Sequence, residues 1–292
     1  MPHKNLKIAY FGGEPIGVPV LAELAKADIV PNIIICNPDR PAGRKQLLTA
    51  PKVKEWALEH DIPVFQPESL KDADSIQKAL EGIDLFVVVA YNKIMPKWLV
   101  EMPVHKTINV HPSLLPKLRG ASPIRTAILQ DMRETGVTIM LMDEKMDHGP
   151  ILAQEIYEIA ENEWPLRGTE LDSKLANFGG KLLASTIPKW IAGTISPRDQ
   201  DHEAATHCGK ITKEMAELHL DPLNLPSGND AYQALLKIRA FDGWPTVFFI
   251  HAGKRVKIID ADIDKDGTLE IKSVIPEGKK VCDFATYLPN IS

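Results

Sequence analysis

The sequence predicts an α/β fold, a mostly parallel sheet covered by helices and followed by a small C-terminal β-barrel. Three observations carry that expectation. Apolar runs at residues 6–11, 29–36 and 85–90 are bounded by turn residues, the pattern of strands buried on both faces. Helix-like stretches such as residues 18–26 alternate with those runs, as parallel strands require. Beyond residue 240, short strand-like runs separated by Gly-containing turns come at the spacing of a small antiparallel sheet or barrel.

In chain order, Gly12-Gly13 after the first run marks a tight strand-to-helix turn. The third glycine of a dinucleotide fingerprint is absent. Further strands are expected at residues 108–110 and 137–142, and residues 151–159 alternate. A helix begins at Thr169, with Asp172 three residues on, and ends near Ala192, where Gly193 and Pro197 stop it. The polar stretch that follows reads as a linker, which divides the chain into residues 1–195, a linker at 196–208 and residues 209–292. In the last part a helix is expected at residues 231–240 and strands at 246–250, 255–259 and 269–275.

Composition excludes several classes. With 292 residues, 44% hydrophobic and 25% charged, the chain is an ordinary globular protein with room for two unequal domains. A net charge of -5 gives no global attraction to nucleic acid, so an RNA contact has to come from local basic clusters. Three scattered cysteines, Cys36, Cys208 and Cys282, make no disulfide framework, and no leader-like or roughly 20-residue apolar run is present. A cytoplasmic protein with no membrane span is expected, a monomer by default. His202, His207 and Cys208 complete no metal-ligand spacing, so no metal is expected. Asp262-x-Asp264-x-Asp266-Gly267 imitates a calcium loop, but its twelfth position is Ser273, and a hairpin turn is the expectation. Trp98, Trp190 and Trp244 read as core or interface anchors.

The chemistry concentrates in Asn109-Val110-His111-Pro112-Ser113-Leu114-Leu115-Pro116. Asn109 and His111 are two apart at the end of a short strand, so their side chains share a face. The prolines end the strand and hold the pair at a strand's C-terminal end, where open α/β sheets place ligands. Asp147, in Met146-Asp147-His148-Gly149-Pro150, lies in a turn that can return a carboxylate to the same edge. An amide donor beside a His oriented by a carboxylate suits acyl transfer, in which an amine loses a proton and an oxyanion is stabilised. From spacing alone the same residues read equally as turn caps and a buried, satisfied His.

The Asn109 to Pro116 segment, Arg119-Gly120-Ala121-Ser122-Pro123-Ile124, Glu134-Thr135-Gly136-Val137-Thr138-Ile139-Met140 and Met146-Asp147-His148-Gly149, taken together, resemble the 10-formyltetrahydrofolate-dependent formyltransferase family. The resemblance implies a Rossmann-like formyltransferase domain, with Asn109, His111 and Asp147 as the catalytic residues. It implies folate contacts from Ser113, Leu114, Leu115 and Pro116, and a pterin pocket lined by the segment holding Val89, Tyr91 and Ile94. Asn37-Pro38-Asp39-Arg40-Pro41-Ala42-Gly43-Arg44-Lys45 resembles the loop that the family's methionyl-tRNA members insert to grip the acceptor stem. That implies tRNA contacts from Arg40, Arg44 and Lys45, groups suited to phosphates and unpaired base edges. Lys210-Ile211-Thr212-Lys213-Glu214 and Lys237-Ile238-Arg239-Ala240-Phe241-Asp242-Gly243-Trp244-Pro245 resemble the linker and the start of those members' OB-like, tRNA-binding barrel.

Two departures stand out. The family's usual Leu-Asp-Thr-Gly-Asp run is here Met146-Asp147-His148-Gly149-Pro150, which keeps the carboxylate and changes its neighbours. Basic and acidic residues are roughly balanced in the C-terminal part, leaving Lys254, Arg255, Lys257, Lys279 and Lys280 to make any basic face. The expected activity is formyl transfer from 10-formyltetrahydrofolate to methionyl-initiator tRNA. In that reading Asn109 and protonated His111 stabilise the oxyanion while Asp147 orients His111 and helps move the amine proton. The rivals are formylation of a nucleotide-linked amino sugar, hydrolysis of the same folate to formate, and a non-enzymatic scaffold.

Overall fold

The computed structural model describes residues 6–42 and 46–288. Its strands and helices are, in chain order, β1 (Ile8–Gly12), α1 (Gly17–Lys26), β2 (Ile33–Ile35), β3 (Arg40–Ala42), β4 (Leu47–Thr49), α2 (Lys52–Glu59), β5 (Val64–Phe65), α3 (Ala73–Ala79), β6 (Leu85–Val89), α4 (Lys97–Val100), β7 (Thr107–His111), β8 (Arg119–Gly120), α5 (Pro123–Leu129), β9 (Thr135–Leu141), β10 (Ile151–Tyr157), α6 (Gly168–Ile191), β11 (His207–Cys208), α7 (Gly228–Ala240), β12 (Phe248–His251), β13 (Lys254–Ile263), β14 (Leu269–Pro276), β15 (Cys282–Asp283) and α8 (Phe284–Tyr287). Two compact units divide the chain. The first holds Met1–Arg119, Thr135–Tyr157 and Ser173–His207; the second holds Gly120–Glu134, Glu158–Asp172 and Cys208–Ser292.

In the first unit, seven strands form one sheet in the order β10-β9-β7-β6-β1-β2-β5. The five from β5 to β7 are parallel, while β9 is antiparallel to β7 and β10 to β9. β1 and β6 are buried along their whole length, which is why they read as unbroken apolar runs rather than alternating ones. On one side Ala9, Phe11, Phe86 and Val88 pack with Ile76 and Leu80 near α3 and with Leu99 and Val100 of α4. Asp72 starts α3 by accepting the Ser75 N–H at 3.2 Å, a side-chain N-cap.

The apolar run at residues 29–36 pairs over Ile33–Ile35 alone. Pro31 has no N–H to give, and Asn32 takes over the pairing instead: its Oδ1 accepts from Ile8 N and its N–H donates to Ile8 O, both at 2.8 Å. Gly13 brings the ends of β1 and β6 together. Its N–H donates to Ala90 O at 3.0 Å, and a Cβ there would lie 3.0 Å from both Ala90 O and Asn37 Nδ2. β3 and β4 pair as a hairpin, Pro41 opposite Leu48, where the sequence suggested loop.

The stretch at residues 198–206, polar enough to suggest a linker, is bound along the first unit. Arg198 and Ile151 exchange backbone hydrogen bonds at 2.8 and 2.9 Å, and Thr206 Oγ1 accepts from Leu118 N at 2.9 Å. Of its polar side chains Gln200 is buried, while Arg198, Asp199, Asp201, Glu203 and Thr206 are exposed.

The second unit carries the antiparallel sheet β12-β13-β14-β15. α7 packs on β13 and β14, and α5 packs on α7. The Asp262–Gly267 segment closes the β13–β14 turn, with Asp264 Oδ1 accepting from Asp266 N at 2.9 Å and Thr268 N at 2.8 Å. Among the described residues no group of His, Cys, Asp or Glu is placed to hold a metal ion, and no helix is long and apolar enough to cross a membrane.

Candidate active site

Period-two geometry places Asn109 and His111 on one face of β7, opposite Met140 and Thr138 of β9. Asp147 stands in the connection between β9 and β10, which Leu141 N closes by donating to Pro150 O at 2.9 Å. The turn aims its carboxylate at the pair. Asp147 Oδ1 lies 3.7 Å from His111 Nδ1 and accepts a long 3.5 Å hydrogen bond from Asn109 Nδ2. Asp147 has φ +49°, a left-handed conformation that Asp tolerates better than most residues.

The His111 ring is 4% exposed, and its Nε2 lies 3.0 Å from Leu118 O. A carbonyl oxygen only accepts, so Nε2 carries a hydrogen in either charge state. Nδ1 is therefore the ring atom whose proton comes and goes, and it is the one that faces Asp147.

Gly149 sets how tightly this connection turns. A Cβ on it would lie 2.0 Å from Leu141 O, a backbone atom that cannot step aside. Gly149→Ala is expected to cost about 3 kcal/mol, the upper end for overpacking, and to lower activity with it. A denaturant melt that keeps its slope while its midpoint falls checks this.

The segment from Ser113 to Pro116 is fixed by Thr138, itself fully buried. Thr138 Oγ1 donates to Ser113 O at 2.6 Å and accepts from Leu115 N at 3.1 Å and Gln154 Nε2 at 2.8 Å. Ser113 is buried with its hydroxyl donating to Lys117 O at 2.6 Å, and Leu115 is buried against Met140 and Ile151. Both side chains are thus engaged inside the protein. Leu114 and Pro116 are part-exposed.

At the end of β6, Val89 is buried, Ala90 has φ +47°, and Ile94 is 89% exposed. The Tyr91 ring meets the edge of Phe11 at 5.3 Å, and its hydroxyl is buried with no hydrogen-bond partner among the described residues. Burial pushes that hydroxyl's pKa well up, so it stays a neutral donor. Buried polar atoms in native proteins are rarely left unsatisfied, and this one lies on a segment expected to line a pocket.

Arg40, at the start of β3, pairs with Glu68 at 2.7 Å, both side chains largely exposed. Such a pair is weak and leaves the guanidinium exchangeable. Arg44 and Lys45 lie outside the described residues.

Comparison with known proteins settles the family. The model for "Formyl transferase" matches residues 6–187, more than half the chain, and that for "Formyl transferase, C-terminal domain" matches residues 228–267. The chain belongs to the formyl transferase family. A relative of this formyl transferase, the methionyl-tRNA formyltransferase of Bacillus subtilis (strain 168), is 41% identical over 253 residues, 86% of this chain and 77% of that one. The enzyme of the same name from Listeria innocua is 36% identical over 307 residues, covering 97% and 95%. Among solved structures, an N-formyltransferase from Helicobacter canadensis superimposes with TM-score 0.63 at 20% identity, over 95% of this chain and 98% of that one, a likeness of fold.

Sequence reasoning missed the residues that hold this formyl transferase's Asp147 turn. Gln200 donates from Nε2 to Asp147 O at 2.9 Å and to Gly149 O at 2.7 Å. Arg119 grips Gln200 Oε1 from Nε at 3.1 Å and Nη2 at 2.6 Å. Gln200 fell in the stretch that read as a linker, and its partners are backbone carbonyls 53 and 51 positions away, which leave no mark in the sequence. Arg119 stood inside a recognised motif with no role attached to it.

Proposed function

We infer that the chain transfers a formyl group from 10-formyltetrahydrofolate to the α-amine of methionyl-initiator tRNA, for translation initiation. The observation that carries the chemistry is the convergence of Asn109 Nδ2 and His111 Nδ1 on one Asp147 oxygen at the C-terminal end of β7. The acceptor rests on relatives named methionyl-tRNA formyltransferase over most of the chain. A folate donor is supported by the family and by a fold neighbour solved with folinic acid.

The folate supplies an activated formyl carbon; the amine nitrogen bonds to it, charge gathers on the formyl oxygen, and the bond to the folate nitrogen then breaks as that nitrogen takes up a proton. Val89, Tyr91, Ile94 and the segment Ser113, Leu114, Leu115 and Pro116 are assigned to hold the donor, Tyr91 with a hydroxyl that has no hydrogen-bond partner among the described residues. Asn109 Nδ2 donates to the formyl oxygen as it gains charge. Protonated His111, anchored through Nε2, donates from Nδ1 toward the same charge. Asp147 orients that ring and takes up the proton leaving the amine, directly or through water. The transfer chemistry is assigned to the first unit.

Arg40, Arg44 and Lys45 are assigned to tRNA phosphates, aided in the second unit by Arg255 and Lys257. Those two alternate along β13 with buried Val256 and Ile258 and so share its outward face. Arg44→Ala is expected to weaken tRNA binding and to reduce the slope of log affinity against log salt by about 1, with folate affinity unchanged. Titrations of charged tRNA at several salt concentrations measure it.

Following labelled formyl from the folate tests the whole reading. Label on methionyl-tRNA is expected. Label appearing in a nucleotide-linked amino sugar or in free formate overturns the acceptor.

A further inference from the structure

The connection that carries Asp147 is closed by Leu141 N donating to Pro150 O and by Asp143, whose carboxylate accepts from Lys145 N at 2.9 Å. Glu144, Lys145 and Met146 are exposed, and Asp147 itself is in the left-handed region, which a non-glycine residue holds only when its surroundings fix it. A relaxed backbone at Asp147 would swing its carboxylate away from β7. What opposes relaxation lies 53 positions further on.

Gln200 is 5% exposed, and each end of its amide meets a partner of one kind. Nε2 offers its two hydrogens to two carbonyls, Asp147 O and Gly149 O. Oε1 faces two N–H groups of Arg119, a side chain that can only donate. Reversing the amide would set oxygen against both carbonyls and NH2 against the guanidinium, so one orientation survives. Bonds to the carbonyls of residues 147 and 149 fix two of the peptide planes around the turn, and hence the direction of the Asp147 side chain.

Arg119, also 5% exposed, is held in its turn. Its Nη2 lies 2.8 Å from His202 Nδ1, and the His202 ring stacks on His148 with centroids 4.0 Å apart and planes 3° from parallel. His148 Nδ1 is 2.7 Å from Asp143 Oδ2, back on the Asp147 connection. The residue that replaces the family's usual Thr after the catalytic carboxylate thus belongs to the same clamp.

We propose that Gln200, braced by Arg119, is a positioning residue for formyl transfer: its amide holds the turn that points Asp147 at His111 and Asn109. The proposal rests on the roles assigned above to those three residues. Gln200 reaches the reaction through Asp147 alone.

Gln200→Glu separates this from a general packing role. It keeps the shape and the Arg119 contact while replacing both donors with a carboxylate oxygen facing two carbonyls. A misplacement of about 1 Å at a reacting group costs on the order of 10²-fold in rate, and kcat is expected to fall by that factor with KM for folate and for charged tRNA little changed. Gln200→Met, which removes donors and acceptor without adding charge, is expected to fall in the same direction and serves if the Glu variant does not accumulate folded.

The decisive readout is a cycle with Asp147→Asn, measured in single turnovers with labelled formyl donor. If Gln200 acts through Asp147, adding Gln200→Glu to Asp147→Asn changes the rate by no more than about twofold. A native rate in both Gln200 variants, or a Gln200→Glu loss just as large in the Asp147→Asn background, overturns the proposal. A near-native rate in Asp147→Asn itself would instead remove the assignment of the catalytic residues, so the two failures are distinct.

Discussion

Asp147→Ala is expected to lower formyl transfer by about 10³-fold, within the range removed with a general base, while folate affinity stays near native. Asp147 is the shared partner of Asn109 and His111, 3.5 Å from one and 3.7 Å from the other. Deleting its carboxylate leaves Nδ1 of His111 without its orienting charge and the departing amine proton without an acceptor. Because an Ala at φ +49° adds backbone strain, Asp147→Asn is the matching control. Asn tolerates that conformation and keeps the shape, so an equal loss in Asn assigns the effect to the charge. Single-turnover transfer of labelled formyl, beside thermal melts of both variants, measures this. Turnover within about tenfold of native in the Asn variant would refute the assignment of Asp147.

Asn109→Ala is expected to cost about 10²- to 10³-fold in kcat, the loss typical of removing one oxyanion donor. The bond from its Nδ2 to Asp147 is long at 3.5 Å, so little ground-state stabilisation is lost with it. The β7 ladder, through Val88 on one side and Met140 on the other, is made by backbone and survives the substitution. The melting temperature should therefore move by no more than a typical single substitution allows, about 1 kcal/mol in stability terms. A fall in kcat with KM unchanged marks a contact made in the transition state. A rise in KM with kcat intact would move Asn109 from catalysis to binding.

How much of this was legible varies by element. β1 and β6 could be read from their runs because strands covered on both faces have no polar alternation. α6 and α7 could be read from periodicity, starts and stops. The hairpin of β3 and β4 could not, since Pro41 and the basic residues around it carry the composition of a turn. The run at residues 29–36 overstated its strand, because Asn32 substitutes side-chain and backbone bonds to Ile8 for a regular ladder. In the stretch before Cys208, polar composition suggested solvent, whereas Gln200 and Thr206 spend their polar groups on buried protein partners.

The sequence by itself placed Asn109 and His111 on one face at the end of a strand, since period two sets them together and the prolines that follow end the strand. It also carried the family in four ordered motifs. Tertiary structure alone decided which ring nitrogen of His111 faces the site, because Leu118 O claims the other. It likewise decided that Ser113 and Leu115 face inward and that Arg119 and Gln200 hold the Asp147 turn. The physical reason is common to all three. Periodicity records which side of an element is covered, but a hydrogen bond from a side chain to a distant backbone carbonyl constrains no residue type at the acceptor, and so leaves no pattern to read.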